Sequence, residues 1–118
     1  MYAAMANREN EEGTTRLHLD VTDAANLMVW AADPSRPAAR WHIFRQGDAD
    51  ALREAIWASK WCAEADHPIH SQTVYLKAEM LQHLADKYNI RPWIIEQSVG
   101  DLVVIPAGAA HQVCDGHI

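Results

Sequence analysis

The chain has 118 residues and a formal net charge of −6, enough for one hydrophobic core but not two, and its acidic balance weighs against direct nucleic-acid binding, which needs clustered Lys and Arg to displace phosphate counterions. No window approaches the roughly 18 apolar residues of a membrane span, and the opening MYAAMANREN lacks the apolar run of a signal peptide. Two cysteines, Cys62 and Cys114, fit free thiols in a reducing intracellular compartment.

After the acidic patch Glu9, Glu11 and Glu12, the segment 14–32 reads as strand, interrupted around Asp23 and resuming over residues 26–30. Alternation along this strand sends His18 and Asp20 to one face and Leu17, Leu19 and Val21 to the other. The run DPSRPAA, residues 33–39, is a loop, because its prolines break regular structure. Trp41 to Phe44 is a short aromatic strand. DADALREAIWASKW, residues 48–61, has helical spacing through Leu52, Ala55, Ile56 and Ser59, with Asp48 or Asp50 as cap and an end near Lys60.

A linker, His67-Pro68-Ile69-His70, precedes a second amphipathic helix over 74–89 that runs through Met80, Leu81, Leu84 and Tyr88 and stops at Asn89. Strands return at 93–97 and 102–105, joined by a Gly100-Asp101 turn, and Pro106 ends the second. The turn PAGAA then delivers His111 and Val113. Strands at both ends with helices between them, the helical insertion covering about 48–89, predict an antiparallel double-sheet jelly roll with both helices packed outside a sheet.

His18-x-Asp20 alone is compatible with a solvated surface, a structural hydrogen bond or part of a metal site. With the distant His111 it matches the two-histidine, one-carboxylate set of non-heme iron, which grips one face of the ion and leaves the other open. Other histidines are read as structural: His67 and His70 in the linker, His83 on the second helix and His42 between aromatics. Cys114 is read as a small buried thiol. The tryptophans at 30, 41, 57, 61 and 93 are read as core packing rather than an alkylammonium cage.

The blocks GTTRLHLDVTDAANLMVW, ARWHIF, HPIHSQTVYL and GDLVVIPAGAAHQV, in this order, resemble the Jumonji C domain of histone lysine demethylases, most of all the branch acting on mono- and dimethylated histone H3 lysine-9. The resemblance covers almost the whole chain. It implies an incomplete double-stranded β-helix of the cupin type, mostly β with a helical insertion, truncated at both ends. It implies Fe(II) held by His18, Asp20 and His111, a hydroxyl for 2-oxoglutarate from Thr15, a histone H3 tail peptide as partner, and a nuclear location. In such chemistry the cofactor performs the oxidation and the hydroxylated N-methyl group leaves as formaldehyde. A protein hydroxylase using the same site, or an inactive module of the family, are the alternative readings.

The sequence departs from the family where many relatives carry a lysine before the WHIF strand, since here it reads Ala38-Ala39-Arg40. A buried dicarboxylate needs a cation or several donors. Asn26 could add an amide to Thr15, and Arg40 a two-pronged guanidinium contact. Alternatively Arg40 closes the preceding loop and faces water, because strand alternation leaves its facing unresolved.

Overall fold

A computed structural model describes residues 15–63 and 67–115, and the acidic patch Glu9, Glu11 and Glu12 lies outside them. In chain order the elements are β1 (Thr15–His18), β2 (Ala24–Leu27), β3 (Ala39–Ile43), a 3-10 turn (Gln46–Asp48), α1 (Ala49–Ala58), α2 (Ala78–Tyr88), β4 (Trp93–Gln97), β5 (Leu102–Ile105) and β6 (His111–Asp115). Every strand pairing is antiparallel. Four strands form a sheet in the order β1-β6-β3-β4, and β2 and β5 form a second sheet of two. The architecture is an open jelly-roll fragment; the described strands do not close into a barrel.

The four-stranded sheet separates two cores, and strand alternation assigns residues to each. Ala39, Trp41 and Ile43 of β3 and Val113 of β6 pack with Val103, Ile105 and Ala109 between the two sheets. On the opposite side, Leu17, Phe44 and Ala110 pack with Leu52, Ala55 and Ile56 of α1, Leu84 of α2, and Ile69, Val74, Leu76 and Ile90. Both helices therefore lie outside the sheet, as their apolar stripes predict.

Several expectations are corrected by the structure. Strand β1 stops at His18, and Val21, expected to share the apolar face of Leu17, is 88% exposed because the chain has already turned away. The second strand occupies Ala24–Leu27 rather than 26–30. The predicted helix over 74–89 begins only at Ala78. Residues Val74, Tyr75 and Leu76 are buried non-helical backbone instead: Leu17 donates its N–H to the Val74 carbonyl at 2.8 Å, and the Gln112 amide both accepts from Leu76 N–H and donates to Leu76 C=O, each at 2.8 Å. A tertiary partner for the backbone outweighs local helical spacing here.

Helix α1 starts after the 3-10 turn with Asp48 at its N-cap, but the Asp48 side chain makes no capping bond. Helix α2 closes where predicted, with Asn89 in the left-handed conformation at φ 55°. Among the tryptophans only Trp41 is fully in a core; Trp93 is 51% exposed on the edge strand β4, and Trp30 is 75% exposed. Cys62 and Cys114 are not joined by a disulfide. No helix among the described residues is long and apolar enough to cross a membrane.

Candidate metal centre

His18 and His111 come from strands at opposite ends of the chain that pair in register, His18 opposite His111 and Thr15 opposite Val113. Thr15 and His18 are three positions apart but their partners Val113 and His111 only two, so β1 carries a bulge. That extra residue matters. Opposed residues share a face of a sheet, so the bulge lets Thr15 and His18, an odd number apart, both join the inner face of His111 and Val113. Leu17 stays on the outer face, in the helical core.

Asp20 lies just past β1. Its Oδ2 is 3.9 Å from His18 Nε2 and 3.8 Å from His111 Nε2. The donor atoms of the three side chains all lie within 4.8 Å of one another. Metal–nitrogen bonds of about 2.1 Å separate donor atoms by about 3 Å when adjacent and about 4 Å when opposed on an octahedral ion. The observed triangle fits an ion after a small inward rotation of the side chains.

The hydrogen bonds of the two rings favour metal over a structural role. His18 Nδ1 lies 2.9 Å from the Arg16 carbonyl and His111 Nδ1 lies 2.9 Å from the Ala109 carbonyl, each the residue two positions back. A carbonyl only accepts, so each Nδ1 carries a proton, which leaves Nε2 as the nitrogen of each ring that faces Asp20. This is the ring orientation of a ligating histidine, with Nδ1 held by the kind of partner a metal-bound histidine ordinarily has. Burial holds the His111 imidazole below its ordinary pKa; its bond to Ala109 opposes this, and the nearby His18 ring adds to it. Neutral histidine is the form a metal needs.

Side-chain exposure rises from 5% at His111 through 17% at His18 to 44% at Asp20. One side of the triangle is thus walled by the sheets and the other is open to an incoming molecule. The donor set contains imidazole and carboxylate and no thiolate, which suits a non-heme Fe(II) ion better than structural zinc.

The inner face extends from this cluster as a chain of contacts. Trp41 stacks on His111 with ring centroids 6.0 Å apart, and its indole N–H donates to Gln97 Oε1 at 2.9 Å. Gln97 in turn donates to the Asn26 carbonyl at 2.9 Å and to Asn26 Oδ1 at 3.2 Å. Asn26 lies opposite the buried Val103, on the inner side of the small sheet. Gln97 was missed in the sequence; as the last residue of β4, after the apolar run Trp93-Ile94-Ile95 and Glu96, it carried no mark of the buried amide it proves to be.

Arg40 is not brought to the cluster. It lies between Trp41 and Ala39, which face inward, so its own side chain projects to the other face of β3. There it forms a 3.0 Å ion pair with Glu96, directly opposite on β4. The expectation that it could meet a carboxylate in the barrel gives way to this surface pair.

Among the described residues, the remaining histidines have structural partners. His67 Nδ1 accepts from the N–H groups of Ile69 at 3.2 Å and His70 at 3.0 Å, tying the HPIH turn. His42 is buried beside Gln112, and His83 packs edge-on against Trp61 and Tyr88. Cys114, expected to be a small buried thiol, is only partly buried and lies outside the His18, Asp20 and His111 cluster; burial pushes its thiol pKa up.

Comparison with known proteins adds an independent line. The family described as JmjC domain, hydroxylase, matches residues 9–117. Lysine-specific demethylase 3A of Rattus norvegicus is 34% identical over 150 aligned positions, which take in 95% of this chain and 12% of that protein. The protein of the same name in Homo sapiens is 34% identical, again over 95% of this chain and 11% of its own length. Lysine-specific demethylase 3 of Drosophila melanogaster is 33% identical over 91% of this chain and 17% of its own. The chain thus spans a small part of these relatives. The 150 aligned positions exceed the 118 residues of the chain, so the rat protein carries residues inside the matched span that this chain lacks. With the family matched along almost its whole length and three ligand-type side chains gathered on the inner face of a jelly-roll sheet, the chain belongs to the JmjC domain family.

Proposed function

We propose that this chain carries the metal centre of an Fe(II)- and 2-oxoglutarate-dependent dioxygenase that demethylates histone lysine, with mono- and dimethylated lysine-9 of the histone H3 tail as substrate and the nucleus as its place of action. The observation that carries the reading is the matched orientation of His18 and His111, each with Nδ1 on the carbonyl two residues back and Nε2 facing Asp20. Similarity to the lysine-specific demethylases supports the substrate class, and the net charge of −6 is compatible with a basic peptide.

His18, Asp20 and His111 would hold the iron. When bound, iron with 2-oxoglutarate supplies the oxidation of an N-methyl group. The chain's own part is to hold three ligands on one side, leave the Asp20 side open, and line the interior with apolar residues. Thr15, facing inward opposite Val113, and Asn26, anchored through Gln97, are the proposed donors to 2-oxoglutarate. Arg40 is left out of this role because Glu96 already pairs it.

Incubating the protein with methylated H3 tail peptide, Fe(II) and 2-oxoglutarate tests the proposal. Demethylation releases formaldehyde and lowers the peptide mass by roughly 14 per methyl group, the cofactor doing the oxidation. The family description names hydroxylase chemistry, which gives a second outcome: one added oxygen with every methyl retained would replace demethylation by protein hydroxylation at the same site.

A further inference from the structure

The turn between β5 and β6 is joined to the loop between β1 and β2 by two polar contacts, and together these link the segments that carry Asp20 and His111. The β2–β5 ladder ends with Ala24 opposite Ile105. The next position on β5 is Pro106, which has no N–H to continue the ladder. The first N–H beyond it belongs to Ala107, and it is taken by Asp23 Oδ1 at 2.7 Å. One residue further, Gly108, with φ 79°, turns the chain and donates its N–H to the Asp20 carbonyl at 2.8 Å. One residue further still, the Ala109 carbonyl accepts from His111 Nδ1.

Three successive residues of one turn thus hold Asp23, hold Asp20 and orient His111. Without the Asp23 contact, a single backbone bond would join the Asp20 loop to this turn at Gly108, the residue with the greatest conformational freedom.

We infer that Asp23 is a positioning residue for the metal centre: as a hydrogen-bond acceptor for Ala107 N–H, it sets the separation of Asp20 from His111 and so the affinity of the site. This rests on the proposed metal site but goes beyond it, since Asp23 itself offers nothing to the ion. A partner that orients a ligand typically contributes 10- to 100-fold in metal affinity. The required property is an acceptor oxygen at this position, not a charge. Asparagine keeps such an oxygen at the same reach, whereas alanine removes it.

Co(II) titration of the whole chain, followed by visible absorption, tests this with Asp23→Ala and Asp23→Asn, folding of each metal-free variant being checked by circular dichroism. Asp23→Ala is expected to bind Co(II) about 10- to 100-fold more weakly, with an altered absorption band. Asp23→Asn is expected to stay within about threefold of the parent, as an acceptor-based role requires. If Asp23→Ala does not fold, Asp23→Glu replaces it: it keeps the charge, displaces the acceptor, and is expected to bind about tenfold more weakly. Parental affinity in the variant lacking or displacing the acceptor overturns the inference, as does a loss in Asp23→Asn equal to that variant's. A parent chain that binds no Co(II) overturns the metal site itself, an outcome distinct from both.

Discussion

His18 and His111 stand directly opposite each other in the β1–β6 ladder, with ring centroids 4.2 Å apart, although 92 residues of chain separate them. Each ring donates to the carbonyl two residues behind it, so the same local device appears on both strands. Both Nε2 atoms face the same Asp20 carboxylate, within 3.9 Å of its Oδ2.

For the co-substrate, Thr15 and Arg40 separate cleanly. Thr15→Ala is expected to weaken 2-oxoglutarate binding about tenfold, the loss of roughly one hydrogen bond to a charged group. Arg40→Ala is expected to leave it unchanged, because the guanidinium lies on the outer face with Glu96. Affinity measured by calorimetry, with metal content checked separately, decides between them. A large loss in Arg40→Ala with none in Thr15→Ala would return the charge to the pocket.

Gln112 is fully buried and holds both polar groups of Leu76. Gln112→Ala leaves a buried N–H and a buried C=O without partners, at about 1–3 kcal/mol each. A destabilisation of about 3 kcal/mol in urea unfolding is expected, with His18, Asp20 and His111 themselves untouched. A change below about 0.5 kcal/mol, the usual range for surface positions, would contradict the clamp.

Burial, and secondarily Arg40, depress the His42 pKa below its unfolded value near 6.5. The unfolded chain therefore takes up this proton before the folded one does. Stability from neutral His42 is present above pH 6.5 and is lost as pH falls through the folded pKa. Thermal unfolding at pH 8 and pH 5.5 is expected to show lower stability in acid, and His42→Gln to show a smaller difference. His67 and His111 are depressed by burial as well, so the slope shrinks rather than vanishes. An unchanged slope in His42→Gln would remove His42 from the account.

The two cores differ from the exposed strand faces. Leu84 of α2 is fully buried in the helical core, and Leu84→Ala is expected to cost about 2–5 kcal/mol. Val104, 60% exposed on β5, is expected to tolerate alanine within about 0.5 kcal/mol. Chemical denaturation of both variants checks the contrast, and a Val104→Ala cost matching that of Leu84→Ala would place a hidden partner on that face.

Much of this was legible in the residues themselves. Short apolar runs bounded by the Gly100-Asp101 turn and Pro106 located β4 and β5, and Asn89 marked the end of α2. The cluster of His18, Asp20 and His111 followed from donor chemistry together with family resemblance. What escaped depends on contacts distant in sequence. Residues 74–77 carry helical spacing, but Leu17 and Gln112 claim their backbone. The bulge that turns Thr15 inward has no mark in TTRLH, since it arises only from register with β6. The facing of Arg40 was undecidable until β3 had neighbours, and Asp23 read as a mere interruption because its partner, Ala107, lies 84 residues away.

The most direct test of the account is anaerobic Fe(II) titration of the chain beside His18→Ala, Asp20→Ala and His111→Ala. One ion per chain is predicted, with a large loss of affinity in every variant, because each substitution removes one of the three proposed protein ligands. Iron binding as tight in His18→Ala or His111→Ala as in the parent would contradict it.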